Sequence, residues 1–211
     1  PHIDNEVGQG LSHVIVSTYS DYLKVATDLK IPDFIKAPPL NPNQNGVVSW
    51  SEVVSKNIKP GPITTGPDDL CVMPYTSGTT GNPKGCMHTH RTVMSVAVGN
   101  EVWFNSKTDD VRLTVLPLFH VTGMQGGMNS PLFSGSTIVL LPRWDREVAA
   151  QCIERYKIST FSSIPTMIVD FLANPNLAKY DISSIQRLNG GGTAMPEAVA
   201  QKLLDMGITF V

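Results

Sequence analysis

Along most of this chain, short apolar runs alternate with longer stretches whose apolar residues recur at helical spacing. Leu11 to Thr18 is rich in β-branched residues and predicts a strand. Residues 37–46 carry Pro38, Pro39, Pro42 and Gly46, breakers that predict a loop. A short helix with Trp50 is expected over 48–56, and a second Pro/Gly connector runs from Lys59 to Pro67, where a subdomain seam is expected. Beyond it the pattern becomes regular. Strands are predicted at 70–75, about 86–89, 111–116, 137–141, 159–163 and 185–189. Helices are predicted at about 91–104, 121–133, 145–157, 165–173 and 196–206. Asp145 suits an N-cap, Pro196 a first-turn position, and Gly207 a helix stop.

Strands alternating with helices imply βαβ units. The expected fold class is therefore α/β, a mostly parallel sheet with flanking helices. Two parts are expected: residues 1–66 as a strand, loops and connector, and residues 67–211 as the α/β portion. No internal repeat or low-complexity segment is visible.

Composition narrows the function classes. A chain of 211 residues with 41% hydrophobic content can bury one sizeable core. Sixteen basic against eighteen acidic residues give a net charge of −2 with no basic stripe, which disfavours a nucleic-acid partner. No apolar stretch approaches the roughly 20 residues of a membrane span, and no secretory signal is legible in a chain that begins at Pro1. Cys71, Cys86 and Cys152 are odd in number, widely spaced and without a CxxC. That argues against disulfides or zinc, and a cytoplasmic location is expected. Buried apolar thiols are their ordinary reading. His88 and His90 could face one way on a strand, but no third ligand follows, so no metal site is assigned.

The densest chemistry lies in Tyr75-Thr76-Ser77-Gly78-Thr79-Thr80-Gly81-Asn82-Pro83-Lys84-Gly85. Its glycines let backbone approach a ligand closely, its aliphatic hydroxyls and N–H groups can donate to anionic oxygens, and Lys84 adds a compact positive charge. Following an apolar strand and preceding a helical pattern, the run is expected to be a strand-to-helix loop, where phosphate binding is favoured. It is not a P-loop, because Gly85 and Cys86 follow Lys84 where Ser or Thr is needed. A solvated surface loop is the alternative, and for Lys84 alone the two readings are balanced.

The run resembles the phosphate-binding signature of the adenylate-forming superfamily, which includes acyl-CoA synthetases, luciferase-like enzymes and adenylation domains. Three further stretches resemble the same family in the right order. Leu116-Pro117-Leu118-Phe119-His120-Val121-Thr122-Gly123 is similar to its acyl-pocket motif. Phe161-Ser162-Ser163-Ile164-Pro165-Thr166-Met167 is similar to the strand-to-helix stretch lining that pocket. Gly190-Gly191-Gly192-Thr193-Ala194-Met195-Pro196 is similar to its adenine-side loop. The resemblance covers about Leu11 to Val211 and is closest to fatty-acid–CoA ligases.

It implies ATP, Mg²⁺ and coenzyme A as substrates or cofactors of the full-length protein, with a carboxylic acid as the other partner. It assigns Thr76, Ser77, Gly78, Thr79, Thr80, Gly81 and Lys84 to the ATP phosphates. It assigns Gly191, Gly192, Thr193 and Ala194 to the adenine and acyl-adenylate, and His120, Val121 and Thr122 to the acyl pocket. A lone His is more often structural, so that reading of His120 stands beside the functional one. Thr122 replaces a larger aromatic residue of some relatives and would leave room for a longer or wider acyl chain.

A medium- or long-chain fatty acid is the expected substrate, since the pocket motif holds no charge to pair with an amino acid. Aryl- or amino-acid adenylation, and a non-catalytic nucleotide- or acyl-binding module, are the alternatives. The family's aromatic-Gly-x-Thr-Glu motif, ribose-binding aspartate and C-terminal domain with its catalytic lysine do not occur before Val211. The chain therefore reads as part of a large N-terminal domain, holding neither a complete catalytic set nor a metal ligand, and inactive on its own.

Overall fold

The computed structural model describes residues 10–38, 46–76, 81–191 and 194–210. The chain divides into two units, Pro1–Thr64 and Thr65–Val211. In the first, the β-branched run supplies β1 (Val14–Val16), which pairs in parallel with β2 (Val47–Ser49). Ser49 then caps α1 (Trp50–Ser55), its hydroxyl accepting the Glu52 N–H at 3.1 Å.

The second unit opens with β3 (Leu70–Val72), β4 (Tyr75–Thr76), β5 (Lys84–Gly85) and β6 (His88–Thr89), paired antiparallel as β3 with β6 and β4 with β5. Helix α2 (His90–Trp103) and strand β7 (Val111–Thr114) follow. A π-helical turn, Gly123–Asn129, runs into α3 (Ser130–Ser134), so the helix expected over 121–133 is real but changes its winding midway. Then come β8 (Thr137–Leu140), α4 (Arg146–Tyr156), β9 (Thr160–Ser163), α5 (Pro165–Leu172), β10 (Arg187–Gly190), α6 (Glu197–Asp205) and β11 (Thr209–Phe210). Five strands form one wholly parallel sheet in the order β11-β10-β9-β7-β8. The expected α/β class and its parallel sheet are thus observed.

One connection differs from expectation. The glycine run leaves from β4 and its far end, Lys84–Gly85, is a strand rather than the start of a helix, so the expected strand-to-helix connection is not found. Lys84–Gly85 returns alongside Tyr75–Thr76, and the Cys86 N–H closes the ribbon by donating to the Pro74 carbonyl at 2.9 Å. Helix α2 starts only after β6, with the Thr89 hydroxyl accepting the Thr92 N–H at 3.3 Å.

The core lies on the sheet. Leu113, Phe161 and Leu188 from β7, β9 and β10 are each 1% exposed, and Ile153, Ile168 and Leu203 from α4, α5 and α6 are fully buried. Each such side chain contributes about 1.5–3 kcal/mol through its removal from water. Trp144 stacks on Phe161 with ring centroids 5.6 Å apart, its indole N–H donating to Asp170 at 2.8 Å. Asp145 caps α4 as expected, accepting the Glu147 and Val148 N–H groups at 3.0 and 3.2 Å. Gly207, at φ +75°, ends α6 in the left-handed conformation that glycine adopts without a Cβ penalty.

Two ion pairs absent from the sequence reading cross-link these layers. Arg112 of β7 meets Glu101 of α2 at 2.7 Å, both side chains being nearly inaccessible. Asp110, just before β7, receives Arg187 of β10 at 2.6 Å and the Ser159 hydroxyl at 2.9 Å. Burial pushes the Asp110 carboxyl up. The Lys107 N–H, the Ser159 hydroxyl and the charges of Arg187 and Arg112 outweigh that, leaving it below the usual carboxylate range. Among the described residues, no helix is long and apolar enough to cross a membrane.

Candidate functional site

Three walls of the second unit enclose a cavity of about 300 Å³. Helix α2 contributes Val96 and Asn100, and Phe104 follows at its C-cap. These positions lie four residues apart, so they share one helical face. The second wall is Val121 and Thr122 together with Gln125 and Gly126 of the π turn. The third consists of Ser162 and Ser163 of β9, Asn189 and Gly190 of β10, and Gly191 just beyond it. The last group stands at the carboxyl ends of adjacent parallel strands, where α/β folds place their ligands.

Close contacts fix the π turn. A Cβ on Gly123 would come within 2.1 Å of the Pro117 carbonyl oxygen, so only glycine lets the chain fold back there. A Cβ on Gly127 would come within 2.7 Å of the Thr114 methyl group. At this approach the Thr114 hydroxyl donates to the Gly127 carbonyl at 3.1 Å, anchoring the turn to β7. π turns are frequent at functional sites because the extra residue widens the helix and re-aims side chains.

The cavity brings together residues from two separately anticipated groups: Val121 and Thr122 of the acyl set, and Gly191 of the adenylate set. His120 lies beside it in sequence but is not among its lining residues. Its exposed ring accepts the Thr122 N–H on Nδ1 at 3.2 Å, so the neutral imidazole carries its proton on Nε2. Ala194 is exposed and also outside the lining.

Of the phosphate set, Thr76 and Lys84 oppose one another across β4 and β5, both exposed. Gly81, at φ +143°, occupies backbone space that L side chains rarely adopt. Ser77, Gly78, Thr79, Thr80, Gly192 and Thr193 lie outside the described residues. Among the described residues, no group of three or more His, Cys, Asp or Glu side chains is placed to hold a metal ion, so none is assigned as a ligand.

Sequence reasoning did not single out Val96, Asn100, Phe104, Gln125, Gly126 or Asn189. The four-residue spacing on α2 was available as a signal. Which face of that helix would meet the sheet ends was not.

The family described as AMP-binding enzyme matches residues 10–211. The chain is 31% identical over 202 residues to a 4-coumarate-CoA ligase 2 of Narcissus pseudonarcissus, covering 86% of this chain and 34% of that protein. It is 35% identical over 136 residues to a long-chain-fatty-acid–CoA ligase of Bacillus subtilis (strain 168), covering 64% of this chain and 24% of that protein. The inhibitor-bound N-terminal domain of FACL13 from Mycobacterium tuberculosis superposes with a TM-score of 0.72 at 25% identity, covering 93% of this chain and 48% of that one. The chain spans about a third of the length of the curated relatives it matches.

Proposed function

We propose, from the premise that this chain belongs to the AMP-binding enzyme family, that the full-length protein activates a carboxylic acid with ATP and transfers its acyl group to coenzyme A. A carboxylate resists nucleophiles because it is anionic and its oxygen leaves poorly. Adenylation removes both obstacles. A carboxylate oxygen attacks the α-phosphorus, the bond to the bridging oxygen breaks, and pyrophosphate departs with the electron pair. The coenzyme A thiolate then attacks the acyl carbonyl and expels AMP.

The chain's own residues orient these partners and offset charge. Thr76 to Gly81 and Lys84 hold the β- and γ-phosphates, with Mg²⁺ arriving as part of the Mg·ATP substrate. Gly191, Gly192, Thr193 and Ala194 flank the adenine and acyl-adenylate, and His120, Val121 and Thr122 border the acyl group. One observation carries this reading. Val121, Thr122 and Gly191, distant in sequence and separately expected at the acyl group and the adenylate, line a single cavity at the carboxyl ends of β9 and β10.

A fatty acid, like the substrate named for the Bacillus relative, and an aryl acid, like that named for the Narcissus relative, are the candidate substrate classes. Amino acids are disfavoured, since no described lining residue is charged. The test is acid-dependent pyrophosphate exchange and thioester formation by the full-length protein. Exchange with fatty or aryl acids followed by CoA thioester is expected; exchange driven by amino acids without CoA transfer overturns the proposal.

A further inference from the structure

We propose that Met73 is a positioning residue for the nucleotide. It packs against the back of β5 and thereby fixes where Lys84, on the front of that strand, meets the phosphates. The proposal rests on the reading of Lys84 and the hydroxyl run as phosphate ligands.

The backbone alone holds β5 weakly. Its pairing with β4 comprises Tyr75 with Gly85 and Thr76 with Lys84. A two-stranded ribbon this short is marginal in water. Pro74, just before β4, has no N–H to donate, so at that point the ribbon relies on the Cys86 N–H, which donates to the Pro74 carbonyl at 2.9 Å. Gly85 weakens the strand further, because glycine brings backbone freedom and no side chain to pack.

Side chains from the opposite strand make up that deficit. A Cβ built on Gly85 would lie 2.9 Å from Met73 Sδ, 3.0 Å from Met73 Cγ and 3.3 Å from Tyr75 Cζ. The thioether and the tip of the tyrosine ring therefore occupy the space over Gly85 that a larger residue would claim. An unbranched, polarisable methionine suits an irregular gap beside an aromatic ring. Met73 is 42% exposed against 67% for Tyr75, so the methionine is the more firmly enclosed of the two.

This contact lies behind the ligand side of the ribbon. Side chains alternate along a strand, and the common approach of Met73 and Tyr75 to the Gly85 Cβ position puts all three on one face. Thr76 and Lys84, a cross-strand pair, stand on the other. Met73 thus acts on Lys84 through the backbone of β5. Lys84 is exposed, and its flexible four-carbon stem has many rotamers. The direction in which its Cα–Cβ bond leaves the strand sets the region those rotamers sweep, and the packing of Met73 on Gly85 sets that direction. A misplaced charge stabilises the transition state poorly even when it is still present.

The test measures kcat/KM for Mg·ATP by pyrophosphate exchange in the full-length protein. The variants are Lys84→Ala, Met73→Ala, Met73→Leu and the double variant Met73→Ala/Lys84→Ala, beside wild type. Met73→Ala is expected to lower kcat/KM by about fivefold to twentyfold. Met73→Leu is expected to stay within about twofold of wild type, because it conserves volume. The double variant is expected to lie no more than about twofold below Lys84→Ala, since a residue acting through the lysine has nothing left to position once the lysine is gone. Equal losses from Met73→Ala in both backgrounds would show an effect on the fold at large and overturn the inference. So would a wild-type value for Met73→Ala, or a loss in Met73→Leu as large as in Met73→Ala. A loss in Lys84→Ala with none in Met73→Ala overturns this inference and leaves the phosphate reading intact. A wild-type value for Lys84→Ala overturns both.

Discussion

Thr76 and Lys84 face one another across the β4–β5 pair, so the lysine returns to the strand from which the hydroxyl run departs. A hairpin can therefore present Lys84 and the run's donors to one polyanion without any contribution from a helix terminus. Lys84→Ala in the full-length protein is expected to lower kcat/KM for Mg·ATP by about tenfold to a hundredfold, roughly 1.4–2.7 kcal/mol of transition-state stabilisation. Pyrophosphate exchange at varied ATP checks this, and an unchanged kcat/KM would make Lys84 a solvated surface residue.

Gly123 is held against the Pro117 carbonyl, where an added Cβ would approach to 2.1 Å. Unlike a clash with a flexible side chain, this one is with backbone at the start of the π turn. Gly123→Ala is expected to destabilise the protein by about 3 kcal/mol or more and to abolish acid-dependent exchange, because the turn carries Gln125 and Gly126. Thermal unfolding together with the exchange assay checks it; a wild-type Tm would refute the close approach.

The Arg112–Glu101 pair is almost wholly removed from water. Removing one partner strands the other charge, so Glu101→Ala is expected to cost about 3–5 kcal/mol. The double variant Glu101→Leu/Arg112→Met is expected to recover most of that loss, since an apolar pair of similar volume needs no desolvation. Calorimetry of the two variants beside wild type decides; equal Tm values for single and double variants would contradict it.

The depressed pKa of Asp110 sets a pH dependence. Its folded value lies below its unfolded value of about 3.9, so its contribution is fully present above that pH and is lost as pH falls through the folded value. The Tm gap between wild type and Asp110→Asn is thus expected to be widest near neutrality and to narrow below about pH 4. A gap constant from neutral to strongly acidic pH would show that the carboxylate charge contributes nothing.

Much of the second unit was legible because its signals are local. The strand over 111–116, the Asp145 cap and the Gly207 stop each depend on a few neighbouring residues, and each is found. The glycine run shows where local reading fails. Its composition announced a phosphate-type loop, but the return of Lys84 beside Thr76 is a pairing across the loop, which no single position encodes. The buried Arg112 and Asp110 were missed for a related reason. A charged residue reads as surface until its partner, Glu101 or Arg187, is seen across another element.

Period, capping and breaker residues, acting within a few residues of themselves, were enough for the sequence alone to determine the α/β class, the alternation of strands and helices from β7 to α6 and the residue types available for binding an acid and a nucleotide. The tertiary structure alone decided that Asn100, Gln125 and Asn189 share one cavity. That outcome depends on β9 and β10 becoming parallel neighbours and on α2 and the π turn closing over their ends, so it is a property of chain crossings rather than of any local stretch.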